Sequence, residues 1–133
     1  MKFWLVKVYV RKLTLEHLDD GTAKEGLRIG SSFDPSQLRD FAVVFDLKAR
    51  LKSHGFLSLE YLAVFNTDED ISEEFKASHF ARANAPAVAY PYLRAFVSQF
   101  CTLSGFEPFT LPIRSFSADT RPPPPPTALP ASE

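Results

Sequence analysis

Between Asp40 and Lys52 the bulkiest apolar side chains recur at every second position. Phe41, Val43, Phe45, Leu47, Ala49 and Leu51 alternate with Asp40, Ala42, Val44, Asp46, Lys48, Arg50 and Lys52. A period of two puts one set on one face of a β-strand, and this run is about twice the usual strand length. Ser53-His54-Gly55 then makes a tight turn, and Leu57, Leu59, Tyr61, Ala63 and Phe65 return along one face. Two long strands joined by a short Gly-containing turn form an antiparallel hairpin. The chain is thereby committed to a sheet with a broad apolar face that something else must cover. Leu62 and Val64 make the returning strand apolar on its second face too, so cover is expected there as well, from this chain or from a partner.

The flanking segments supply two more strands. Residues 3–16 read as a long strand with Trp4, Val6, Val8 and Val10 on one face. The apolar parity flips at Leu13 and Leu15, which predicts a β-bulge or bend near Arg11 and Lys12. After the turn residues Asp19-Asp20-Gly21 and a loop, Leu27, Ile29 and Phe33 alternate as a short strand that Pro35 and Ser36 end.

Beyond the hairpin the period changes. Asp68, Glu69, Asp70, Glu73 and Glu74 form an acidic stretch in which Ser72 suits a helix start, and a short helical piece is expected to about Ala83. Asn84-Ala85-Pro86 restarts the chain, with Asn84 as N-cap. From Ala87 to Leu103 the spacing of Val88, Tyr92, Ala95, Phe96, Gln99, Phe100 and Leu103 is helical, and Leu93, Val97 and Cys101 make a second stripe. Pro91 is expected to kink this helix and Gly105 to end it. A helix apolar on several sides outstrips what one sheet can cover, so self-association follows. Phe106–Phe116 is an extended crossover loop broken by Pro108 and Pro112, and Pro122–Pro126 must be polyproline II. The reading is one α+β domain over 1–117, a four-stranded antiparallel sheet on one long helix, with a disordered Pro-rich tail over 118–133.

Composition narrows the function. The 133 residues are too few for a two-domain enzyme with a separate cofactor domain. Fifteen Lys plus Arg against 16 Asp plus Glu give a net charge of −1, which argues against a nucleic-acid footprint and against an anionic membrane surface. No stretch approaches a membrane span and no targeting segment is visible, so a soluble, cytoplasmic protein is expected. One cysteine excludes a disulfide framework. His17, His54 and His79 show no metal-ligand spacing, Cys101 reads as core, and no glycine-rich phosphate loop exists. No catalytic residue, metal or cofactor is expected. The basic residues of the first and third strands read as a solvated outer face. What stands out is the aromatic content: 13 Phe, of which Phe106, Phe109 and Phe116 fall in the proline-broken loop, where exposed aromatics would line an apolar groove.

The order of elements resembles the SecB protein-export chaperones. Phe3 to Glu16 is similar to their opening strand. Ala85-Pro86, Tyr90-Pro91-Tyr92-Leu93-Arg94, Ser104-Gly105, Pro108, Leu111-Pro112 and Phe116 resemble their helix and crossover loop. The resemblance implies the same sheet on a long helix, a homotetramer built as a dimer of dimers, and an ATP-independent holdase for unfolded polypeptides. It implies client contacts at Phe33, Tyr61, Phe106, Phe109, Leu111 and Phe116, and an oligomer interface using Trp4, Val6, Val8, Tyr92, Phe96 and Phe100. Two departures bear on partners. The prolines of 122–126 cannot be the second helix that borders the family's peptide groove. Lys12 stands where the family presents an acid to the motor SecA, which argues against SecA as a partner, although Glu16 is retained. A dedicated client, such as an antitoxin, is then an alternative to general export. A different class of function, an adaptor recruiting a folded partner through its Pro-rich tail, is the rival.

Overall fold

The computed structural model describes residues 1–18, 23–112, 114 and 116. The Pro-rich tail expected over 118–133 lies outside the described residues. Four strands, β1 (Phe3–His17), β2 (Gly26–Ser32), β3 (Asp40–Arg50) and β4 (Gly55–Thr67), precede a one-turn helix α1 (Glu73–Lys76), a π-helical turn (Phe80–Asn84) and the long helix α2 (Ala85–Leu103). The strands form one antiparallel sheet in the order β1-β4-β3-β2. The expected fold, a four-stranded antiparallel sheet packed on one long helix, is what the chain adopts.

The β3–β4 register pairs Phe41 with Phe65, Phe45 with Tyr61, Leu47 with Leu59 and Ala49 with Leu57. Directly opposed residues share a face, so the alternating apolar sets meet on the inner face. Buried residues of α2, namely Ala89, Leu93, Val97 and Cys101, cover that face. Phe45, Phe65 and Leu93 lose all contact with solvent, each burial contributing about 1.5–3 kcal/mol. At the end where β3 starts, Phe41 stacks on Phe65 at 5.2 Å and on Phe33 at 5.5 Å, while Phe3 meets Phe65 and Phe75 edge-on. Much of the phenylalanine excess is thus absorbed by one aromatic cluster, each favourable pair adding about 0.5–1.5 kcal/mol.

The parity flip in β1 is a bulge at Arg11, as expected. A second bulge at Val6 is not. It overturns the reading that Trp4, Val6, Val8 and Val10 share a face. Leu5, Val8, Val10 and Leu13 oppose the inner-face residues Phe65, Ala63, Tyr61 and Leu59, whereas Trp4 and Tyr9 oppose Asn66 and Leu62 on the outer face. The two-sided apolarity of β4 also resolves. Leu62 points outward, yet it is buried in the row Tyr9–Leu62–Val44, so neighbours within the sheet cover it.

Ser72 caps α1 by accepting from Phe75 N at 3.0 Å. Asn84 does not act as an N-cap: its backbone is helical and its side chain makes no cap bond, because the π-helical turn runs straight into α2. Pro91 lies inside α2 on its exposed side, where the carbonyl it leaves unpaired faces water. The helix ends in a Schellman turn, with Phe106 N donating to Cys101 O at 2.8 Å and Gly105 N to Thr102 O. Gly105 has φ +89°, the left-handed conformation this turn needs. The β3–β4 turn is less comfortable. Ser53 and His54 both have positive φ, at 64° and 67°, although neither is the glycine that favours it.

Gly55 follows that turn beneath the Phe106 ring, and a Cβ there would lie 2.5 Å from Phe106 Cε1 and 3.3 Å from Leu51 Cβ. Gly55→Ala is expected to displace Phe106 and to destabilise the fold by about 1–3 kcal/mol in urea unfolding. Gly30→Ala, with nothing within 4 Å of its new Cβ, should leave the midpoint unchanged or raise it slightly. Equal losses in the two variants would disprove the close approach of Phe106.

Candidate functional site

The Schellman turn throws the chain back over the helix it has just left. Side chains of α2 then hold the crossover loop by hydrogen bonds. Tyr90 Oη donates to Pro112 O at 2.8 Å, and Arg94 Nε to Leu111 O at 2.8 Å. Leu111 is buried between them, and Phe116 packs edge-on against Tyr90, which in turn leans on Phe45 of β3. Lys52 Nζ reaches Glu107 at 2.6 Å, tying the β3–β4 turn to the loop. That bond and the Glu107 charge hold the Lys52 ammonium above its ordinary pKa. Pro108 and Pro112 remove backbone donors and fix φ, so the segment stays extended and depends on these side chains for its position.

The six expected client residues are not gathered in one open groove. Phe106, Phe109 and Phe116 are half-buried against the core, Leu111 is buried, and all four belong to the loop. Phe33 is half-buried at the end of β2, stacked on Phe41 with Lys76 Nζ 5.5 Å from its ring centre. Tyr61 is buried beneath Phe96, stacked at 5.3 Å. Burial, and then the nearby Tyr92, push the Tyr61 hydroxyl pKa up. Exposure of the loop aromatics is therefore corrected. Phe106 N bonds back to Cys101 O, which folds these rings inward where proline punctuation alone suggested an open strand. In the sheet, β2 is an edge strand, and one side of its backbone has no strand partner among the described residues.

Of the expected interface residues, Tyr92 is about half exposed on α2. It lies in a helical series with Val88 and Leu103, which are also exposed. Phe96 and Phe100 stack on each other at 5.9 Å, half-buried at the border of that series. Trp4 and Val6 are exposed on β1, whereas Val8 packs on the core.

Two features escaped the sequence reading. His17 and His54, distant in sequence, stand with ring centres 5.7 Å apart, because the β1–β4 register ends at His17 opposite Gly55. The outer face carries a charge row, Lys12–Glu60–Asp46–Arg28, visible only once all four strands are in register. Among the described residues, no three His, Cys, Asp or Glu side chains converge as a metal site, and no helix is long and apolar enough to cross a membrane.

No protein-family model matches the chain. Over 63 residues it is 33% identical to the protein-export protein SecB of Anaplasma phagocytophilum, a match covering 45% of this chain and 39% of that protein. The matched part thus spans about two fifths of that relative's length. Among solved structures, the fold is similar to a SecB-like chaperone of Mycobacterium tuberculosis in complex with a ChAD peptide from an antitoxin. The TM-score is 0.64 at 18% identity, covering 84% of this chain and 90% of that one. A protein of unknown function from Streptococcus agalactiae has TM-score 0.60 at 12% identity, covering 85% and 98%. Part of the chain is thus similar in sequence to a SecB protein, and its fold is similar to that of a SecB-like chaperone.

Burial raises the Cys101 thiol pKa, partly opposed by the Phe109 N–H that bonds its sulfur. A raised pKa means less thiolate at a given pH, so native Cys101 should react more slowly with a disulfide reagent at pH 8 than after unfolding in urea. Because Phe109 belongs to the loop, Arg94→Ala, which releases Leu111 O, should speed that reaction while the far-ultraviolet spectrum stays native. An unchanged rate would mean that Arg94 does not hold the loop down.

Proposed function

We propose that this SecB-like chain is an ATP-independent holdase chaperone that binds non-native polypeptide segments and does no chemistry. The observation that carries this reading is the crossover loop. Its aromatics are half-buried and fastened by a few replaceable contacts, and the same sheet offers an edge strand, β2. An extended client segment would add to β2 through main-chain bonds and exchange its own apolar side chains for those of Phe33, Phe109 and Phe116. Each exchange gains little, so affinity would come from several weak sites on one client. The similarity to SecB supports the chaperone class. The peptide in the mycobacterial structure supports a polypeptide client, whether a protein bound for export or one dedicated client such as an antitoxin.

In this reading residues 1–117 act as one domain in the cytoplasm, assembled as a homotetramer built from dimers. Tyr92 with Val88 and Leu103 on α2, flanked by Phe96 and Phe100, supports assembly through the helices, and Trp4 and Val6 support a contact along β1. Lys12 on the outer face argues against SecA as a partner.

At near-stoichiometric amounts and without ATP, the protein should suppress aggregation of an unrelated chemically unfolded protein. A form lacking residues 118–133 should do so equally well, and Phe109→Ala with Phe116→Ala should weaken the effect several-fold. If the shortened form loses all binding while unfolded clients are ignored, an adaptor acting through the Pro-rich tail is the correct account. Light scattering should return a mass four times that of one chain, and a strict monomer would remove the assembly.

A further inference from the structure

The outer face of the sheet lies opposite the face that α2 covers, and its charge does not follow that of the chain. One row of cross-strand partners runs Lys12–Glu60–Asp46–Arg28 over all four strands. Two carboxylates directly opposed repel unless cations attend them. Arg11, carried in the β1 bulge, donates from Nε to Glu60 Oε1 at 2.8 Å, and Lys48 Nζ lies 3.8 Å from Asp46 Oδ1. With both carboxylates so attended, Lys12 and Arg28 are left at the ends of the row. Arg28 Nε is enclosed with no hydrogen-bond acceptor among the described residues. Lys7 adds a further cation on the same face. Lys7, Arg11, Lys12, Arg28 and Lys48 thus face only Asp46 and Glu60 over these rows, although the chain as a whole carries a net charge of −1.

Two shallow depressions flank the Asp46–Glu60 pair. One, of about 140 Å³, is bordered by Lys12, Thr14, Lys48 and Ser58. The other, of about 230 Å³, is bordered by Arg11, Arg28, Ser31 and Val44. The adjacent row is apolar, Tyr9–Leu62–Val44–Gly30, and Trp4 and Val6 lie exposed beyond it.

We propose that this face docks an acidic polypeptide segment. Its carboxylates would sit over the two depressions on Lys12 and Arg28, whose planar guanidinium suits a carboxylate. A neighbouring bulky apolar residue would rest on Tyr9 and Val44. A phosphate backbone fits less well, since its unbroken charge must pass over Asp46 and Glu60, where a peptide can place neutral residues. A second copy of the chain is also a poor occupant, because all but Glu74 of its acidic stretch is already engaged. Asp68 accepts from Lys2 N, Asp70 is paired with Arg39, Glu73 with Lys76, and Glu69 lies 3.7 Å from the N-terminal amine. The proposal uses none of the crossover-loop residues and shares only strand β2 with the holdase reading, so loss of acidic-peptide binding in Lys12→Glu, on β1, is distinguishable from loss of client binding.

The test is a titration of the full chain with a synthetic peptide of alternating Glu and Gly containing one Leu, followed through Trp4, the single tryptophan. Saturable binding is expected, falling at least about tenfold in Lys12→Glu/Arg28→Glu and falling steeply as salt shortens the Debye length from about 10 to about 3 Å. Lys12→Gln/Arg28→Gln should give an intermediate loss, with unchanged circular dichroism. The proposal is overturned if the Glu→Gln peptide binds equally well, if both double variants bind like the parent, if nothing binds, or if a single-stranded oligonucleotide of equal length binds more tightly than the acidic peptide.

Discussion

The register of the β3–β4 hairpin is the constraint on which the rest of the structure depends. A strand's side chains alternate with a period of two, so sliding one strand by one residue would move its whole apolar set to the other face. With Phe45 opposite Tyr61, the inner face presents Phe41, Val43, Leu47, Leu59, Ala63 and Phe65 as one surface. Only an apolar stripe can lie on it, and α2 supplies Ala89, Leu93, Val97 and Cys101. The same register puts Asp46 beside Glu60 on the far side. The core and the charge row are therefore two consequences of one pairing, and β1 and β2 must conform to it at both edges.

That dependence explains which features were legible in the sequence. The hairpin, the Ser72 cap and the Gly105 turn are encoded locally, by alternation, one hydroxyl and one residue free to take positive φ. The bulge at Arg11 was legible because the apolar parity changes there. The bulge at Val6 was not. Leu5-Val6-Lys7-Val8-Tyr9-Val10 is apolar enough on both parities that either phase looks acceptable, and only pairing with β4 shows that Leu5 and Val8 face the same way. Asn84 misled for a related reason. Asn-Ala-Pro is a good local start signal, but the preceding turn is already helical and delivers the chain without a cap. The loop aromatics misled because proline marks extended backbone without saying what it lies against.

The loop's fastenings have an energetic meaning. A net neutral hydrogen bond contributes about 0.5–1.5 kcal/mol, and the Lys52–Glu107 pair is exposed and worth little. The loop therefore owes much of its position to half-burial of Phe106, Phe109 and Phe116. On the holdase reading this is a useful balance. A client's apolar side chains offer the same kind of burial the loop already has, so occupancy is an exchange with small net gain, and release needs no nucleotide. Had those aromatics been fully buried, as Phe45 and Phe65 are, displacing them would cost several kcal/mol each.

The long helix has two apolar stripes and one sheet. Leu93, Val97 and Cys101 are spent on the sheet; Val88, Tyr92 and Leu103 are not, and they face solvent in a single protomer. Phe96 and Phe100 sit between the stripes. Phe96 stacks both on Tyr61 of the sheet and on Phe100, so truncating it would loosen the core and disturb any helix-mediated assembly together. Leu103, far more exposed than the other two, touches the core least. Separating assembly from folding in this chain must therefore start from the Leu103 end of the stripe. Phe96 and Phe100 belong to both problems at once, because a single inner face had to be covered by a helix that is itself apolar on more than one side.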